Sequence, residues 1–308
     1  MHIRLGTRGS SLAMWQAHYI RALILRTFPS HTVDVVPVKT EGDLRRRAQL
    51  AGSGTTGIFT RAIGLSLLDN DINLAVHSLK DLPTRMMNGL HLAGVPRRQD
   101  PADGLISKRE RCLEELPDNA IVLTGSPRRR AQLLHRRPDL EVREVRGNVP
   151  TRIQKMHESA AEGVMLACAG LARMGMAHVA THRLDPLRFV PAAGQGALGL
   201  ECRADDGKML ELCRALNDVE CEIAAKAERG FMRTLGAGCH VPAGAFARRT
   251  SPCDPLQMTG LLATADGTDM IREEVSGEVH NPEEATELGR QLAETMLERS
   301  SEDILEEF

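Results

Sequence analysis

Between Ala120 and Arg137 the chain reads "AIVLTGSPRRRAQLLHRR". Ala120 to Leu123 is a short apolar run of strand formers, Thr124, Gly125 and Ser126 favour a turn, and Pro127 suits the first position of a helix. The segment therefore predicts a strand passing through a tight turn into a helix. The pattern recurs twice downstream, in "LEVREVRGNVPTRIQKM" (140–156) and "GVMLACAGLARMG" (163–175). Three such units in one block predict a largely parallel sheet with three helix N-termini along one edge.

The same rhythm extends upstream. "HIRLGTRGS" (2–10) predicts a strand and a loop, with Ser10 or Ser11 capping a helix whose apolar stripe is Leu12, Trp15, Tyr19 and Leu23. "TVDVVPV" (32–38) and "INLAVHS" (72–78) predict strands, and "TTGIFTRAIGLSLLD" (55–69) a helix between them. Downstream, "FVPAAGQGALGLECRADD" (189–206) predicts a glycine-bearing crossover into a further strand, and "DVECEIAAKAERGFMRTLG" (218–236) a helix ending near Gly236. "LQMTGLLAT" (256–264) and "MIREEVSGEV" (270–279) follow as strands. A last helix is announced by Asn281 as N-cap, Pro282 at N1 and Glu284 as capping-box partner. The expected architecture is two α/β lobes followed by a smaller α+β domain.

Composition narrows the chemistry. The 308 residues are long for one domain, and no basic-then-apolar opening or long apolar run predicts a leader or a membrane span. A cytoplasmic protein is expected. Seven cysteines without a CxxC pair argue against a disulfide framework or a zinc knuckle, and no metal is expected. The net charge of -2 conceals arginines crowded into the first half of the chain. With 3% aromatic residues and no basic stripe, nucleic acid is not the expected partner. "AGSGTTG" (51–57) lacks the ending of a phosphate loop.

Arg128 and Arg129 fall in the first turn of a helix, where cations oppose the dipole, so they weaken it unless an anion is bound there. A solvated basic face is the bland alternative. Arg146 and Arg152 flank the next turn, Arg173 follows the third strand and Arg8 the first, and strand carboxyl ends are where open α/β sheets bind ligands. In "LAVHSLKDLPT" (74–84), Lys80 and Asp81 also follow a strand. Asp81 reads either as a turn residue or as the one acid among arginines, suited to assist loss of an amine. His77 reads as a core histidine. "RTLGAGCHVPAGAF" (233–246) sets Cys239 in a run of small residues, where a free cysteine most often serves as a small hydrophobe.

Seven segments, "TRGSSLAMWQA", "AVHSLKDLP", "GSPRRRAQL", "RGNVPTR", "AGLARMG", "PAAGQGALGLECR" and "GAGCHVPAG", resemble in order and spacing the motifs of the porphobilinogen deaminase (hydroxymethylbilane synthase) family. The resemblance implies two periplasmic-binding-protein-like (type II) α/β domains with a central cleft as active site, and a smaller C-terminal α+β domain. It implies domain 1 over 1–96 and 197–215, domain 2 over 97–196 and domain 3 over 216–308. The implied reaction joins four porphobilinogen molecules head to tail, releases ammonia and yields linear hydroxymethylbilane for tetrapyrrole biosynthesis. The implied cofactor is a dipyrromethane on a thioether to Cys239.

By the same resemblance Asp81 is the catalytic carboxylate, and Lys80, Asp81, Thr124, Ser126, Arg128, Arg129 and Arg152 hold the cofactor. Arg8, Ser10, Arg146, Arg173 and Gln195 receive substrate, Phe59 forms a hydrophobic wall of that site, and Gln195 lies at the crossover between the first two domains. A monomer that passes its product to the next enzyme of the pathway is implied. The chain departs from the family pattern where Thr56 stands for a lid lysine, Ala62 and Gly64 for two acids, Pro127 for a leucine, and Gly236 and Ala237 for a Glu-Gly pair. Three other readings stay open on the sequence: a non-catalytic cytosolic binder of an anionic small molecule on the same fold, a diverged paralogue with reduced activity, and a hydrolase using Cys239 with His240.

Overall fold

A computed structural model describes residues 1–38, 56–109, 111–236 and 241–307, the side chains of 56–59 excepted. In chain order it shows β1 (His2–Arg8), α1 (Ser11–Thr27), β2 (Thr32–Val38), α2 (Thr56–Leu68), β3 (Leu74–Ser78), a 3-10 turn Leu79–Asp81 and β4 (Leu90–Gly94). Then come β5 (Asp103–Ser107), β6 (Ile121–Leu123), α3 (Pro127–Arg136), β7 (Glu141–Arg143), α4 (Val149–His157), β8 (Gly163–Ala167), α5 (Cys168–Arg173) and β9 (His182–Arg183). The remainder is β10 (Leu198–Arg203), α6 (Gly207–Leu216), α7 (Val219–Thr234), β11 (Ala243–Arg248), β12 (Leu256–Ala263), β13 (Met270–Gly277), α8 (Pro282–Arg299) and α9 (Glu302–Leu305).

The chain forms two compact units, Met1–Arg98 with Ala197–Glu222, and Gln99–Gly196 with Ile223–Phe308. The first holds a five-stranded sheet in the order β2-β1-β3-β10-β4. Strands β2, β1 and β3 are parallel, while β10 runs antiparallel to both of its neighbours. Ile3, Leu5, Ile20, Ile24, Val76 and Leu200 fill one side of this sheet, and Ile63, Leu67 and Ile72 belong to a second apolar cluster. Four of the five residues of β3 are buried, as expected for a strand covered on both faces.

The second unit repeats the order in β7-β6-β8-β5-β9, with β7, β6 and β8 parallel and β5 antiparallel to β8 and β9. It also contains the antiparallel sheet β11-β12-β13 with its own core around Phe231, Met258, Leu262, Leu292 and Met296. Two α/β sheets of one strand order and a smaller α+β part form the expected fold class.

Local chemistry explains the boundaries. Ser10 caps α1 by accepting from the Ala13 amide at 3.3 Å. The buried face of α1 is Gln16, Ala17, Ile20 and Ile24, not the Leu12-Trp15-Tyr19-Leu23 stripe expected. Trp15 and Tyr19 instead stack on each other at 5.5 Å and Tyr19 is exposed, because flat aromatic rings satisfy one another along an outer face while branched isoleucines fill the sheet contact. Asn281 caps α8 by accepting from the Glu284 amide at 2.8 Å, and Glu284 reaches one residue further back than a simple capping box, to the His280 amide at 2.7 Å. Four strands escaped the sequence reading: β4, β5, β9 and β11.

Candidate active site

In the first unit β1 and β3 are parallel neighbours, with Gly6 opposite Ala75, so Arg8 and the turn Leu79–Asp81 leave the sheet at the same edge. The turn is fixed at both ends. The Leu79 amide donates to the carbonyl of Ala197 at 3.0 Å, the Leu82 amide closes back onto Leu79 at 3.1 Å, and Gln16 Nε2 donates to Ser78 Oγ at 2.8 Å. Lys80 and Asp81 are half-buried there, as is Arg8. Ser10 accepts from a backbone amide, so its hydroxyl keeps its own proton for donation. His77 pairs with Glu201 at 2.9 Å, both buried, and is a satisfied core histidine. Phe59 lies on α2 with its side chain outside the described residues.

In the second unit β6 and β8 are parallel neighbours, and β5 runs the other way beside β8 with Asp103 opposite Ala167. Asp103 therefore begins its strand at the edge where β6 and β8 end. It is fully buried among the expected anion binders. Arg129 donates to Asp103 Oδ1 from Nε at 2.9 Å and from Nη2 at 2.7 Å, and from Nη1 to the carbonyl of Met165 at 3.0 Å. Arg128 Nη1 lies 2.9 Å from Asp103 Oδ2. Gln195 Nε2 adds a bond to Asp103 Oδ1 at 2.8 Å and another to the carbonyl of Pro101 at 2.7 Å. Burial alone would raise the carboxyl of Asp103, but the charges and hydrogen bonds of Arg128 and Arg129 overcome it and hold the group well below the usual carboxylate range.

Asp81 is thus not the one acid placed with arginines; Asp103 sits directly between Arg128 and Arg129. The pair at the α3 N-terminus already faces one anion, supplied by the chain itself. Asp103 was missed because an Asp-Gly start signals a turn more readily than a strand.

The neighbouring hydroxyls are locally held. Thr124 Oγ1 accepts from the Ser126 amide at 3.2 Å, and Ser126 Oγ caps α3 by accepting from the Arg129 amide at 3.4 Å. Each accepting hydroxyl still has its own O–H to donate. Arg152 Nε donates to the carbonyl of Gly147 at 2.8 Å, and exposed Arg146 pairs with Glu144 at 2.7 Å. Buried Arg173 braces two chain segments, donating to Gln99 Oε1 at 2.6 Å and to the carbonyl of Gly196 at 2.7 Å. Cys239 and its neighbours Ala237, Gly238 and His240 lie outside the described residues, as do residues 39–55 and the side chains of 56–59, and with them the first part of the expected lid (54–64).

In each unit polar and charged groups stand at the carboxyl ends of an α/β sheet, the acid-bearing turn in the first and the arginines and hydroxyls in the second, and guanidiniums of this kind suit carboxylate ligands. Comparison with known proteins gives the family. Residues 3–211 match the profile "Porphobilinogen deaminase, dipyromethane cofactor binding domain", and residues 222–298 match "Porphobilinogen deaminase, C-terminal domain". The porphobilinogen deaminase of Syntrophotalea carbinolica is 43% identical over 98% of this chain and 95% of that protein. That of Thermus thermophilus is 43% identical over 97% of each chain, and that of Syntrophomonas wolfei 41% identical over 99% of this chain and 98% of its own. The chain belongs to the porphobilinogen deaminase family. It is a transferase of tetrapyrrole biosynthesis that condenses four porphobilinogen molecules with release of ammonia to give hydroxymethylbilane, and its cofactor is a dipyrromethane.

The residues present fit that group. Arg128 Nε is buried and has no hydrogen-bond partner, and a buried donor of this kind calls for an acceptor such as a carboxylate. Among the described residues no helix is long and apolar enough to cross a membrane.

Proposed function

We propose that the turn after β3 carries the chemistry of this transferase, with Asp81 as its catalytic carboxylate. The observation that carries the reading is the pinning of Leu79–Asp81 by the carbonyl of Ala197 and by Gln16 on Ser78, which sets a half-buried carboxylate and an ammonium at a strand's carboxyl end. There Asp81 holds the aminomethyl nitrogen of porphobilinogen through a charge-assisted hydrogen bond and steadies positive charge as ammonia leaves. Lys80 neutralises a carboxylate beside it. Arg8 and Ser10 on the adjacent strand end, with Arg146 and Arg173, receive the substrate's acetate and propionate, and Phe59 supplies an apolar wall.

Arg128, Arg129, Arg152, Thr124 and Ser126 would hold the dipyrromethane, and Cys239 would carry it through a thioether. When bound, the dipyrromethane supplies the terminal pyrrole to which new units are joined. Gln195, bonded to Asp103, keeps the crossover in register beside the arginines. We assign the domains to 1–96 with 197–215, 97–196 and 216–308; the second compact unit holds the second and third apart from residues 97–98 and 216–222. The reading is completed by a cytoplasmic monomer that passes hydroxymethylbilane to the next enzyme of the pathway.

The test is intact-protein mass spectrometry combined with turnover. The wild-type chain should exceed its sequence mass by two linked pyrrole units, and Cys239→Ser should lose the increment. Asp81→Ala should keep the covalent pyrroles while turnover falls on the order of 10²–10⁴-fold. Full turnover in that variant would remove Asp81 from the mechanism.

A further inference from the structure

Two groups that no motif reading singled out meet Arg128, and a third ties down the strand beside it. The first is Asp103, the acid between the two arginines. Two guanidiniums against one carboxylate leave a single surplus positive charge in a buried place, and such a charge is costly unless a second anion meets it. The geometry shows where that anion would sit. Arg129 turns its Nε–Nη2 edge onto Asp103 and its Nη1 onto Met165, whereas Arg128 touches Asp103 through Nη1 and leaves Nε buried with no partner.

The second group is Gly244 on β11. A Cβ there would lie 2.9 Å from Arg128 Cδ and 2.8 Å from the carbonyl oxygen of Pro191. The missing side chain lets the stem of Arg128 lie flat against the strand that follows the Cys239 segment. The third group is Glu228 on α7. Fully buried, it accepts from the Gly194 amide at 2.6 Å and the Ala247 amide at 2.9 Å, tying β11 to the segment that carries Gln195.

We propose that Asp103 and Gly244 are positioning residues that together aim Arg128 at a carboxylate of the dipyrromethane. Asp103 fixes the guanidinium from one side, and Gly244 registers its stem against the strand leading from the attachment cysteine. The inference rests on the assignment of Arg128 to cofactor binding made above. Neither residue touches the ligand, so their loss moves the arginine rather than removing it.

The experiment uses wild type, Asp103→Asn and Gly244→Ala, each purified from cells deprived of porphobilinogen. Porphobilinogen is then titrated in, and the fraction of chains gaining the two-pyrrole increment is read by intact mass, well below each thermal midpoint. Both variants should require roughly tenfold to a hundredfold more porphobilinogen for half-loading, the cost of misplacing a group by about 1 Å. A purely structural role would lower the thermal midpoint and leave the half-loading concentration where it is; that result overturns the proposal. Should Asp103→Asn not fold, Gly244→Ala decides, since it keeps every charge: raised half-loading supports the proposal and an unchanged value overturns it. A wild-type chain that never gains pyrrole mass overturns the cofactor reading itself, and the proposal with it.

Discussion

Gly289→Ala should destabilise the protein, although a helical glycine replaced by alanine ordinarily gains about 0.5–1 kcal/mol. Gly289 lies on α8, and a Cβ built on it would stand 2.0 Å from the carbonyl oxygen of Ala227 and 2.9 Å from the amide nitrogen of Phe231, both on α7. Gly230 on α7 faces α8 in the same way, its Cβ position 2.5 Å from the carbonyl oxygen of Thr286. The two helices cross backbone to backbone, with a glycine on each side. A methyl group cannot be met by a rotamer change, because the atoms it strikes are main-chain atoms of a helix. The helices must part by about 1 Å around Phe231, which is fully buried, and overpacking of this kind costs about 3 kcal/mol at the upper end of its usual range. Set against the propensity gain, the net loss is about 2 kcal/mol, or roughly 4–8 °C in the midpoint of a domain this large. Gly207→Ala is the control. Gly207 opens α6 with nothing within 4 Å of its Cβ position, so only the propensity gain applies and the midpoint should rise by a few degrees at most. Thermal unfolding followed by circular dichroism reads both. A higher midpoint for Gly289→Ala would refute the backbone crossing and the packing argument built on it.

Glu228→Gln should lower the unfolding midpoint by roughly 4–16 °C. Its amide group can accept from only one of the two backbone donors and turns an NH2 toward the other, a loss of about 2–4 kcal/mol for charge-assisted bonds. An unchanged midpoint would mean that neither bond contributes. The acid limb of stability should carry the signature of Asp103. Its carboxyl is depressed in the folded chain, so its contribution is complete above the ordinary carboxylate pKa of about 3.9 and is lost as pH falls through the lower folded value. The midpoint gap between wild type and Asp103→Asn should therefore be flat from pH 8 to 5 and narrow only below about pH 4. A gap that narrows between pH 7 and 5 would show that Asp103 titrates in the wrong range.

The parallel strands and the helices they feed were legible because each carries its own punctuation: Ser126 and Pro127 at the start of α3, Asn148 at the start of α4, Asn281 and Pro282 at the start of α8. The arginine turns were legible for the same reason. The antiparallel β5 and the edge strand β11 were not. Strand β5 opens on an Asp-Gly pair, and β11 is built of small residues buried on both faces, so neither shows the alternation that identifies a strand. The buried face of α1 was misplaced because hydrophobicity ranks Trp15 and Tyr19 with core residues, although two stacked rings can remain outside. Asp103, Gly244 and Glu228 act through long-range contacts, and no local pattern in one sequence announces those.

What the missed strands contribute is common to both α/β sheets. In each, one strand runs against its parallel neighbours, and it is the strand that directly follows a crossover of the chain between the two units. Running backwards, it begins where the parallel strands end, so whatever the crossover delivers arrives at the strands' carboxyl ends, where open α/β sheets bind ligands. In the first unit that is the carbonyl of Ala197, which accepts from Leu79 and holds the turn of Lys80 and Asp81. In the second it is Asp103, which holds Arg128 and Arg129. These two of the three crossovers therefore set the groups of the unit they enter, the acid-bearing turn in one and the arginine pair in the other. A substitution at either anchor should then change the loading and turnover of pyrroles as well as the unfolding midpoint, because both anchors are buried and stand where the parallel strands end.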